Sequence, residues 1–123
     1  MNEKTATKYA GAIRRTKEER ILCSAIWYIE LEGKEKDIPK EQYLPVNCPT
    51  GIVFCGHRHL QCMRTMNHVF GLSDHEAGKS VQGFLTNWNR FVDRKEGGEI
   101  AFKAGQTDNL IGHLFSEDLW MEY

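Results

Sequence analysis

Three sets of side chains in this sequence are of types that do chemistry. The first is Cys48, Cys55, His57, His59 and Cys62. Thiolate and imidazole are the ligands of tetrahedral zinc. The spacing lacks a CxxC pair, however, and Cys55 and His57 would need a turn between strand and helix to face one point. The expectation is free thiols and no structural metal. The second set draws on the same residues as a nucleophile and base, Cys55 or Cys62 with His59, or as a general acid or base at His57 or His59. Nothing nearby resembles an oxyanion loop, and Cys55 sits in the apolar run "GIVFCG", where burial would push a thiol pKa up and leave it inert. Enzyme chemistry is therefore not expected.

The third set is cationic and aromatic. It comprises Arg58 and the stretch "GFLTNWNRFVDRKE", which holds Phe84, Thr86, Trp88, Asn89, Arg90, Phe91, Asp93 and Arg94. Aromatic rings stack on bases, guanidinium groups pair with phosphate, and amides read base or ribose edges. A plainer account is available for several of them. Asp93 with Glu96 three residues on is an N-cap with its capping-box partner, Asn87 and Asn89 suit a turn, and Trp88 and Phe91 suit a core. Phe84 falls on the more polar row of its segment, where a ring is either half-exposed or covers a partner.

These residues must be held by a small set of elements. "RILCSAIWYIEL" has an unbroken apolar row at Ile21, Cys23, Ala25, Trp27, Ile29 and Leu31, which is strand alternation. Leu22, Ala25, Ile26 and Ile29 also match helical spacing, but the Trp, Tyr and Ile content favours the strand. "EGKEKDIPKEQYLPVNCPTG" contains all three prolines and reads as a loop, part of which could pair as an edge strand. "GIVFCG" reads as a buried strand. "HRHLQCMRTMNHVFG" follows as a helix with Leu60, Met63, Met66 and Phe70 on one face and Gly71 as its cap. "KSVQGFLTNWNRFV" alternates as a hairpin turning near residues 87–89. A helix over 94–104 ends at Gly105, and its Gly97 and Gly98 cost about 2 kcal/mol relative to alanine, so something other than propensity holds it. Arg58 and Arg94 thus stand at two helix N-termini, whose unpaired N–H groups and positive dipole ends suit phosphate.

The chain of 123 residues, 41% hydrophobic and 27% charged, is long enough for one core. The expected organisation is an N-terminal arm or helix over 1–18, with Tyr9, Ala12 and Ile13 on one side, and a ligand-binding α+β domain over 19–123. No apolar run approaches the roughly 18 to 20 residues of a membrane span, and the first 20 residues lack a leader's apolar stretch, so a cytosolic location is expected. Net charge is -1, which argues against a general nucleic-acid binder. The balance is uneven along the chain. Six Lys/Arg stand against three Glu in the first 20 residues, whereas no Lys or Arg follows Lys103.

The segments "ILCSAIWY", "GIVFCGHRH", "VQGFLTNWNRFVDRKE" and "LFSEDLW" together resemble a family of small phage proteins, the first-described Thoeris anti-defence family. The match runs from about Ile21 to Trp120, and the arginine-centred "GHRH" and the "QGF" to "RFVDR" segment carry most of it. That resemblance implies a sponge rather than an enzyme: a protein in the host bacterial cytoplasm that binds cyclic ADP-ribose isomers made from NAD by TIR-domain enzymes and holds them uncleaved. It implies a homodimer or higher homo-oligomer on a small decorated Greek-key antiparallel sheet with two or three helices, with pockets at the subunit interface and no cofactor. Carried onto this chain, Arg58 and His59 match the "RH" motif, and Phe84, Thr86, Arg90, Asp93 and Arg94 the second motif. Asn89 joins them as a polar neighbour. Some relatives also bind cyclic oligonucleotides through basic residues near the C-terminus, which this chain lacks. Two other readings remain: a nucleotide-acting hydrolase using His57, His59 or Cys55, and a nucleic-acid-binding regulator using the Arg14, Arg15 and Lys17 arm.

Overall fold

The computed structural model describes residues 18–120. The expected N-terminal arm, with its Arg14, Arg15 and Lys17, lies outside them up to residue 17. Four strands, β1 (Ile21–Tyr28), β2 (Ile52–Gly56), β3 (Ser80–Thr86) and β4 (Phe91–Asp93), form one antiparallel sheet in the order β2-β1-β3-β4. Three helices, α1 (His59–Phe70), α2 (Arg94–Lys103) and the short α3 (Ser116–Leu119), accompany it. The class is the expected single-domain α+β fold. The long connection from β2 through α1 lays β3 against β1, so the strand that returns to the first is the third in the chain.

β1 is central and its two faces are both covered, which accounts for its mixed periodicity. Ile26 and Tyr28 pack with Cys62 and Met66 of α1. Ala25 packs on the other side with Leu44, Cys48 and Phe91, and Trp27 joins them. The register against β3 shifts between Ile21 and Cys23. Such a bulge adds one residue and turns the strand end over, so Ile21 joins Phe84, Val92, Ala101 and Leu114 on the helix side.

The proline-rich connection does not pair as an edge strand. It makes a 3-10 turn at Lys40–Gln42 and lies across the sheet with Leu44 and Cys48 buried. Asn47 fixes it by mimicking a strand partner of Phe91: its Nδ2 donates to Phe91 O at 2.6 Å and its Oδ1 accepts from Phe91 N at 2.8 Å. β2 is half-buried at the sheet edge, and Cys55 is exposed, which corrects the expectation of a buried strand with an inert thiol. In α1 the inward side chains are His59, Cys62 and Met66, while Leu60 is exposed. Gly71 closes that helix in the left-handed conformation with φ 67°.

α2 is a helix because Asp93 caps it and the sheet lies close beneath. Asp93 Oδ1 accepts from Glu96 N at 2.8 Å. Glu96's carboxylate turns to Arg90 instead, at 2.8 Å. The glycines are where the helix touches its neighbours. A Cβ on Gly97 would lie 3.0 Å from Phe84 Cδ2, and one on Gly98 would overlap the carbonyl oxygen of Ile111. Close approach therefore explains both glycines, at the cost in propensity noted above.

Candidate functional site

The expected site residues divide into two groups in space. Thr86, Asn89 and Arg90 belong to the hairpin turn and hold it together. Arg90 Nε and Nη2 donate to the two carboxylate oxygens of Glu19, each at 2.8 Å, and Nη2 also donates to Glu96. Thr86 Oγ1 donates to Glu19 Oε2 at 2.7 Å and accepts from Trp88 N. Glu19 is held below the usual carboxylate range chiefly by the Arg90 hydrogen bonds, against its partial burial. Asn89 takes a left-handed conformation with φ 55°, as turn asparagines do, and its carbonyl receives Val46 N. An arginine already gripped by two carboxylates has little to offer a phosphate.

Phe84 is the main correction. Its ring is wholly buried, packed with Ile21, Val92, Ala101 and Leu114, below Gly97 and edge-on to His59 with centroids 5.2 Å apart. The alternation of β3 put it on a polar row; in the sheet that row faces the seam between α1 and α2. Its face is not available to a nucleobase. Asp93 is the cap of α2, as its spacing with Glu96 predicted.

Arg58, His59 and Arg94 do come together, at the first turn of α1. They line a cavity of about 470 Å³ with Leu60, Gln61, Phe115, Ser116 and Glu117. Arg58 is the N-cap residue of α1, and Gln61 Oε1 accepts from its backbone N at 2.8 Å. Its guanidinium Nη1 stands 3.9 Å from Glu117 Oε1, with the arginine side chain buried and the glutamate exposed. Arg94 Nη1 donates to Leu114 O at 2.7 Å and Nη2 to Gln82 Oε1 at 2.6 Å. Its guanidinium lies over the Phe115 ring, 4.8 Å from the centroid. Burial lowers the Arg94 pKa from its ordinary value, without approaching neutrality for a guanidinium.

His59 is locked by two contacts. Nε2 lies 2.8 Å from Gly83 O, and a carbonyl can only accept, so Nε2 carries the proton. Nδ1 then presents its lone pair to Arg94 Nη2 at 3.5 Å. Burial first, and Arg94 in part, push the ring's pKa below the ordinary value, against the pull of Gly83 O. The contacts favour the neutral ring, which takes its place in the cavity lining with its Nδ1 lone pair turned to Arg94.

Phe115 is the residue that the sequence did not single out. It is half-exposed, its ring meets His113 edge-on at 4.9 Å, and it stands at the cavity where Phe84 was expected to. The only hint was its place in "LFSEDLW". The cysteines fall elsewhere. Cys62 is buried, its pKa pushed up to about 12 mainly by desolvation, and its thiol donates toward Ser24 O and Arg58 O. Cys55 is exposed and lines a recess with Leu44, Pro45 and Leu85, on the side of the sheet away from His59. The Cys62 thiol is turned to backbone carbonyls and the His59 ring to Gly83 O and Arg94. Among the described residues, no group of three or more His, Cys, Asp or Glu is placed to hold a metal ion, and no helix is long and apolar enough to cross a membrane.

A family model described as "Phage T4 y16D protein" matches residues 20–120 of the chain. No curated protein and no solved structure matches it.

Proposed function

We propose that this chain, which belongs to the phage T4 y16D protein family, is a sponge for a cyclic ADP-ribose isomer, acting in the host cytoplasm against Thoeris defence. The observation that carries the reading is the cavity of about 470 Å³ lined by Arg58, Arg94, the first turn of α1 and Phe115, with the Arg94 guanidinium over the Phe115 ring. Its volume falls in the range of about 300 to 1,000 Å³ usual for small-molecule sites. Two guanidinium groups and the positive end of α1 suit a pyrophosphate, and the exposed ring suits a base. The resemblance of "GHRH" and "QGF" to "RFVDR" to the Thoeris anti-defence family supports the same ligand class.

A sponge is complementary to its ligand's ground state, with no general base poised on the scissile bond. His59 fits that requirement, because its proton is committed to Gly83 O and its lone pair to Arg94. Leu60 and Phe115 leave large apolar surface beside the cavity. A second copy of the chain covering them would close the pocket at a subunit interface.

Calorimetric titration of the full chain with each cyclic ADP-ribose isomer tests the proposal, followed by acid denaturation and chromatography of the released ligand. Saturable heat and recovery of intact ligand are expected. Absence of binding to every isomer overturns the ligand class, and recovery of a ring-opened product makes the protein an enzyme.

A further inference from the structure

Ala25 of β1 stands opposite Cys55 of β2. Cys23 lies two residues before Ala25 and therefore on the same face of the sheet, which makes Cys23 and Cys55 diagonal neighbours across the strand pair. Cys55 is exposed and Cys23 partly so. Cys55 also opens into a recess of about 170 Å³ bordered by Tyr43, Leu44, Pro45 and Leu85. Cys48 and Cys62 are buried, and burial pushes their thiols up to about 11 and about 12 respectively.

The paired thiols are not equivalent. The neighbouring Cys55 first, and burial second, push the Cys23 thiol up from its ordinary value. The neighbouring Cys23 lowers the Cys55 thiol, against its own burial. An exposed thiol diagonal to a less exposed one on the same sheet face is the arrangement of a redox-responsive cysteine with its resolving partner.

We propose that Cys55 and Cys23 form a thiol–disulfide exchange site for low-molecular-weight disulfides, with Cys55 as the attacking sulfur and Cys23 as the resolving one. The Cys55 thiolate attacks one sulfur of the reagent, the reagent's S–S bond breaks, and one thiolate leaves, with Cys55 as a mixed disulfide. Cys23 gives its proton to solvent and attacks Cys55 Sγ. The bond between Cys55 and the reagent breaks, the second thiolate leaves, and a Cys23–Cys55 bond forms. Two protein thiols are oxidised and one disulfide is reduced to two thiols, so the electrons balance without another reactant. A disulfide requires a narrow range of Cα separations. β2 can adjust to it because it is an edge strand, hydrogen-bonded on the β1 side alone.

The site is tested by exposing the full chain to glutathione disulfide at graded ratios to glutathione, quenching with acid, and locating each modification by fragmentation mass spectrometry that separates Cys48 from Cys55. The parent should lose two hydrogens and yield a Cys23–Cys55 cross-link. Cys23→Ser should stop with one glutathione on Cys55, formed on the order of ten-fold faster than any adduct on Cys48 or Cys62, following thiolate fraction and access. Cys55→Ser should give neither product. Equal modification of Cys48 and Cys62, or a parent that retains glutathione on Cys55 without cross-linking, overturns the proposal.

Discussion

Nη2 of Arg94 lies 3.5 Å from Nδ1 of His59, while Nε2 of the same ring bonds Gly83 O. A second proton on His59 would have to sit on Nδ1, facing a guanidinium, in a ring that is nearly buried. The folded state therefore resists protonation that the unfolded chain accepts near the ordinary histidine value of 6.5. The unfolded state binds more protons in that window, so stability is complete above about pH 6.5 and falls as pH drops toward the depressed folded value. Urea melts of the parent and His59→Gln between pH 8 and pH 5 are the measurement. The parent should lose more stability than the variant on acidification; parallel slopes would remove His59 from the account.

Gly98→Ala should destabilise although it replaces a poor helix former with the best one. Propensity alone predicts a gain of about 1 kcal/mol. The added Cβ meets the Ile111 carbonyl oxygen, a backbone atom that cannot yield without moving its segment. Gly97→Ala meets side chains alone, the edge of the Phe84 ring at 3.0 Å and Leu114 at 3.5 Å, and should lose about 1 to 3 kcal/mol, as overpacked sites do. Gly98→Ala should lose more. Thermal melts that place Gly98→Ala at or above the parent would show that the Ile111 segment is not docked as described.

The same glycines show where the sequence stops being legible. Their cost to the helix was visible, and so was the need for a compensating approach, but the partner was not, because Ile111 lies in an irregular segment without periodicity. The hairpin, the Asp93 cap and the Gly71 cap were readable because each depends on neighbours within a few residues. Phe84 was misread because alternation tells which residues share a face, not what covers that face; a polar row in sequence became the seam under two helices. Arg90 was misread for a similar reason. Its partner Glu19 is 71 residues away, and no local pattern announces it.

Phe84→Ala should thus act on stability, with a loss of about 3 to 5 kcal/mol typical of a buried ring. Phe84→Leu keeps most of the volume and should bind the cyclic ADP-ribose isomer close to the parent's affinity. A folded Phe84→Leu that binds at least ten-fold more weakly (about 1.4 kcal/mol) would restore Phe84 to the pocket.

Arg90→Ala should also be a stability variant. It strips Glu19 of two hydrogen bonds in a partly buried setting, which costs about 1 to 3 kcal/mol when a polar group loses its partner. Glu19's folded pKa is depressed, so its contribution is present above the ordinary carboxylate value of 4.5 and is lost as pH falls through the folded value. The parent and Arg90→Ala should converge in stability in acid. A constant difference down to pH 2 would mean the arginine acts through packing instead.

Phe115 and Glu117 should set affinity from opposite directions. Phe115 offers its ring beside Arg94, and Phe115→Ala should weaken binding of the isomer by about 1 to 3 kcal/mol, by analogy with base–aromatic stacking, or about 5-fold to 150-fold. Glu117 places a carboxylate 3.9 Å from the Arg58 guanidinium, where a phosphate oxygen would otherwise gain. Because that carboxylate is largely solvated, its removal is worth about 1 kcal/mol, so Glu117→Gln should bind about five-fold more tightly. The gain should shrink as salt is raised, since exposed charges are screened. Titration calorimetry of both variants at low and high ionic strength separates the two effects. If Glu117→Gln binds more weakly at both, the carboxylate is a ligand contact rather than a competitor, and the anion does not sit at Arg58.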